Sequence, residues 1–207
     1  MVATSDSTGP SGQVGLVPAS ELAGMEDRVR VAQFAALCRQ GRITNLASPV
    51  IAAVVGYVLL GESGGGPVFT WLAFVLLATV ARGIVHYQFE RTMPGRSTVS
   101  DSTKLAFLVT ICFSGLVWGG GATLLFPADN LALQAFLIVA ILGMGAGATA
   151  GFGPYFPALA VYVIPLAVPM VAILMFQQTV LHVALGSFGL VFIVVLFLLG
   201  SAAHRNF

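Results

Sequence analysis

Charge is what this chain has least of. Nine Lys and Arg and eight Asp and Glu make up 8% of its 207 residues, where soluble domains carry about 25%. A surface that poor in charge excludes an ordinary soluble domain. The net charge of +1 gives no basic field of the kind that gathers nucleic acid, so no nucleic-acid partner is expected. Cysteine is nearly absent as well. Cys38 precedes the first apolar stretch and Cys112 lies inside another, which leaves no disulfide framework and no metal-type spacing. Residues 1–24 lack the apolar core of a cleavable signal peptide. What abounds is apolar: 57% of residues are hydrophobic and the mean hydropathy is +0.96. The composition is that of an integral membrane protein whose first partner is the lipid bilayer.

The chain divides by composition. Residues 1–24, rich in Ser, Gly and Pro, read as a disordered tail. Residues 25–42 repeat apolar positions at Val31, Phe34, Ala35 and Cys38, with arginines and glutamines mostly elsewhere. They read as a short amphipathic helix in the headgroup region or as an extension of the first span. Residues 43–203 form a six-span domain, and 204–207 begin a linker. The six apolar stretches are Ile43–Leu60, Val68–Tyr87, Leu105–Phe126, Leu131–Gly151, Phe156–Phe176 and Val180–Ala202. Each approaches the roughly 20 residues a membrane-crossing helix needs. The fold expected is an all-α bundle of six transmembrane helices. All nine basic residues then fall on one side of the membrane, while the opposite loops, 61–67, 127–130 and 177–179, hold none. The positive-inside rule puts both termini in the cytoplasm.

Residues 141–157 stand out within this frame. Gly143, Gly147 and Gly151 recur every four residues, and Gly145, Thr149 and Gly153 do so offset by two. On a helix they make two small faces, which lipid-embedded helices use for close approach. The expectation is a central helix packed between neighbours on both sides.

Few residues carry chemistry. Arg82, His86 and Glu90 share one face at the inner end of the second span, spaced for mutual bonding. They form either an anchoring stripe or a ligand and signal relay. Pro165 and Pro169 each remove an amide donor inside the fifth span and can shape a pocket. Trp118, followed by three glycines, reads as a packing residue or a ligand platform, and Trp71 as a member of the outer aromatic belt. His86 and His182 fall at opposite ends of their spans, too far apart for a bis-histidine haem. Ser114 lies too deep to meet His182 as a catalytic dyad. No cofactor, metal or catalytic residue is expected.

The stretch Leu116–Asp129, with Trp118-Gly119 and Phe126-Pro127, and the glycine-rich run from Ala140 resemble a known family. It is the multi-span input region of bacterial sensor histidine kinases and of GGDEF or EAL signalling proteins. The resemblance spans residues 28–205. It implies a membrane input and dimerisation module, working as a homodimer, whose output domain, a kinase or cyclic-di-GMP enzyme, follows the last span. This chain itself carries no phosphoacceptor, nucleotide-binding or GGDEF motif and is expected to be no enzyme. With outer loops this short, the stimulus is expected within the membrane or at its faces, with a lipid-like or amphiphilic ligand as a candidate. The other class considered is a small transporter or channel. It would call for midplane polar groups or repeated halves, and the halves here show no evident similarity.

Overall fold

The structure, a computed structural model, describes residue 41, residues 45–92 and residues 100–205. Six helices fill almost all of it: α1 (Asn45–Ser63), α2 (Gly65–Thr92), α3 (Asp101–Leu124), α4 (Leu131–Phe152), α5 (Phe156–Phe176) and α6 (Val180–Arg205). All six are long and apolar enough to cross a membrane, and no strand occurs among the described residues. The protein is an all-α, multi-pass membrane protein. The tail 1–24 lies outside the described residues, as does the amphipathic segment 25–42 apart from Gly41, which is helical and buried.

The reason for helices is the medium. Where no water reaches, each backbone amide must bond within its own segment, and long apolar runs do so as helices. What ends them is local. Gly64, at φ +74°, is the whole break between α1 and α2. The expected loop 61–67 is therefore helical on both sides of a single glycine in the left-handed region. Asn130 caps α4 by accepting from the Leu133 amide at 3.2 Å. Gln178, at φ 54°, turns the chain between α5 and α6. Connections this short make successive helices antiparallel. The start of α1, the ends of α2, α4 and α6, and the starts of α3 and α5 gather at one end, called the basic end below.

The bundle is organised around α3 and α5. Among α2–α6 these two share the largest interface. A side-chain carbon on Gly115 would stand 2.5 Å from the Tyr162 carbonyl oxygen, and one on Gly119 would collide with the carbonyl of Pro165. The close approach explains both glycines, and it explains why the prolines of α5 are tolerated. Pro169 has no amide proton to offer the Pro165 carbonyl, which is the helical partner it would otherwise serve. That carbonyl faces the bare Cα of Gly119, a weak C–H···O contact where a stronger donor is missing.

The central place expected for α4 is thus taken by α3 and α5. Helix α4 packs its small residues closely against α6 only in part. Gly145 meets Leu196 and Phe192 of α6, Gly153 meets Ala203, and Gly151 is buried. Gly143 and Gly147 are exposed, with no atom within 4 Å of where a side-chain carbon would go. The physical reason is placement: α4 has α5 and α6 on one side and little of α3. Only half of its small surface has a neighbour to receive. Thr149 does bond back to its own helix, donating to the Ala146 carbonyl at 2.6 Å.

Candidate functional site

Two groups of polar residues stand out among the described residues, one toward each end of the bundle. At the end away from the basic residues, the Gln134 amide donates to the carbonyls of Pro127 and Ala128, each at 2.9 Å. Its carbonyl oxygen faces Nε2 of His182 at 2.8 Å. Because the amide nitrogen is committed to two carbonyls, the oxygen must accept, so His182 carries its proton on Nε2. Nδ1 then accepts from the Thr179 hydroxyl at 2.5 Å. This cluster ties the α3–α4 loop to the start of α6. It is fully engaged and reads as structure.

The second place is the stripe Arg82, His86 and Glu90. Helix α2 runs on to Thr92, so Arg82 sits ten positions from its end, about 15 Å at the usual rise per residue. Arg82 is 3% exposed and His86 4%, whereas Glu90 is exposed at the margin. Each buried member is held by an aromatic ring from a different helix. The Arg82 guanidinium carbon lies 4.7 Å from the Phe152 ring centroid of α4, and the His86 ring stacks on Phe107 of α3 at 5.1 Å. Gly41 closes against both: a side-chain carbon there would stand 2.9 Å from Cε1 of His86 and 3.9 Å from an Arg82 terminal nitrogen. Four helices and the Gly41 segment therefore converge on this stripe once Tyr162 of α5, which shares a cavity with Arg82, is included.

Two cavities flank the start of α1. One, of about 80 Å³, is lined by Ser48 and Ile51 of α1, Arg82, Gly147 and Phe152 of α4 and Tyr162. The other, of about 230 Å³, is lined by Asn45, Gly83, His86, Tyr87 and Glu90. Arg82 belongs to the first and His86 and Glu90 to the second, so the stripe divides between them.

Trp118 lies in neither. Its indole donates to the Ser48 hydroxyl at 2.9 Å, one layer behind the first cavity, and its ring meets Trp71 edge-on at 5.3 Å. It is a packing residue. Trp71 also departs from expectation. Rather than facing an aromatic belt, it is buried, donates to the Val117 carbonyl at 3.0 Å and lies where a Gly121 side chain would be. Pro165 contributes to the α3–α5 contact and not to the wall around Arg82. No metal-type cluster of His, Cys, Asp or Glu occurs among the described residues.

Sequence spacing found the stripe but missed Phe107, Phe152 and Tyr162. Each is one aromatic residue among many apolar ones, with nothing local to mark it. Ser48 was equally unmarked. Gln134 did carry a signal, as an amide within an apolar run.

No protein-family model, curated protein or solved structure matches this chain. The geometry of the stripe carries the functional reading.

Proposed function

We propose that this chain is the membrane-embedded input module of a bacterial signalling protein, set in the inner membrane with both ends in the cytoplasm. The observation that carries the reading is the convergence of α2, α3, α4 and α5 on the buried Arg82–His86 pair at the basic end. That is the end at which α6 leaves the bundle, its His204 Nδ1 lying 3.0 Å from the Pro154 carbonyl of the α4–α5 turn. A change at Arg82 reaches Phe152, then the turn two residues on, then the end of α6. The path is short and physically continuous. A stimulus biases such an element only through different affinity for two arrangements. The start of α1, standing between two cavities, is the part with room to move.

A channel or transporter has less support. Both cavities lie toward the basic half of the bundle, and the bundle centre is closed by Gly115 and Gly119 against α5. The experiment is to fuse residues 1–207 to a kinase or cyclase output and to substitute Arg82, His86 and Pro165 singly. Altered output from Arg82 or His86 variants that insert and fold normally supports the module. Unchanged output from all three reduces it to an anchor.

A further inference from the structure

The cavity beside Arg82 opens sideways. Of its lining residues, Ala47, Gly143 and Gly147 are exposed, while Ser48, Arg82, Ala148, Phe152 and Tyr162 are buried. Gly143 and Gly147 fall within the α4 span, Gly147 five residues or about 8 Å from its inner end. At that depth the medium outside is hydrocarbon, so the mouth between α1 and α4 faces lipid tails and its floor holds a guanidinium. The two glycines left open by α4 packing find an explanation here, since side chains at these positions would narrow the mouth.

We propose that this crevice binds a single-chain anionic amphiphile, with the headgroup at Arg82 and the chain lying out between α1 and α4. The guanidinium never loses its charge in a protein and presents a planar fork that suits a carboxylate or phosphate. The Phe152 ring lies against the guanidinium on one side, 4.7 Å from its carbon to the ring centroid. Tyr162 and Ser48 line the same cavity. The volume of about 80 Å³ suits a headgroup no larger than a carboxylate or a bare phosphate, with the chain left outside it. Attraction between the two charges is far stronger in this medium than in water. Charge and size together select against zwitterionic lipids with a phosphocholine headgroup, too large for this cavity.

This deepens the sensor reading by naming its ligand, but binding is measured with no output domain attached, so each can fail alone. The full chain is placed in nanodiscs of zwitterionic phosphatidylcholine and labelled with a diazirine-bearing oleate, and the labelled peptides are mapped. Labelling is expected on α1 and α4 around Ala47 and Gly147. It should be competed by oleate, and not by oleyl alcohol or acetate. Arg82→Gln should weaken binding about tenfold or more, the usual loss for a charge-assisted pair, and Arg82→Lys less. Gly147→Leu places its side chain at the mouth, its Cβ meeting no atom within 4 Å, and should abolish labelling while leaving the melting temperature near wild type. Labelling that survives in folded Gly147→Leu protein would overturn the site. Equal competition by oleyl alcohol would overturn the charge recognition, and competition by acetate alone would make it a site for small anions and overturn the amphiphile.

Discussion

The carbonyl oxygen of Pro165 on α5 lies against the bare Cα of Gly119 on α3, occupying the space a side chain would need. Two breaches of helix rules, a proline-freed carbonyl and an interior glycine, thus answer each other across one interface. Because the obstructing atoms are backbone, neither helix can yield by turning a rotamer. Gly119→Ala should therefore cost about 1–3 kcal/mol or more through overpacking. Gly147→Ala, facing open space, should stay within about 0.5 kcal/mol of wild type. Thermal unfolding in detergent compares them directly, and equal losses would contradict the α3–α5 centre.

The opposite end of the bundle offers an independent test. Gln134→Leu removes two donors from the α3–α4 loop and the acceptor for His182. The carbonyls of Pro127 and Ala128 lose their partner, a cost of about 1–3 kcal/mol. His182→Ala breaks only the α6 side and should cost less. The double variant should be less destabilised than the sum, because both changes sever the same bond. Simple additivity in denaturation measurements would mean that the amide and the imidazole do not interact.

The proposed orientation rests on the arginines and lysine. Cysteines introduced at Gly64 and Asp129, in two turns of the end without basic residues, should react with an impermeant reagent in intact cells. Labelling only after lysis would reverse the topology.

The sequence made parts of this architecture readable and hid others for a definite reason. Span lengths are set by the bilayer and by each run's own composition, so six helices could be read from the sequence, although α2 runs from Gly65 to Thr92 where Val68–Tyr87 was expected. The Arg82–His86–Glu90 stripe was readable too, since positions four apart share a helix face whatever surrounds them. Packing partners are a different kind of information. The small residues of α4 announce that a neighbour can approach, not that one does. Gly145 and Gly153 have α6 beside them, and Gly143 and Gly147 have nothing. Equally small residues in α3, Gly115 and Gly119, took the centre because Tyr162 and Pro165 lie opposite. No local pattern pairs those helices. The aromatic rings around Arg82 and His86 come from three different helices, so only the folded bundle assembles them.

One titration tests the central claim most directly. The 1–207 fusion, reconstituted in zwitterionic vesicles, is assayed for output while oleate is added, in wild-type, Arg82→Gln, Arg82→Lys and Gly147→Leu forms. The account predicts a saturable change in wild-type output, a response shifted to about tenfold or more higher oleate in Arg82→Gln, a smaller shift in Arg82→Lys, and no response in Gly147→Leu. A wild-type output indifferent to oleate, or one that responds identically in all four proteins, would contradict it.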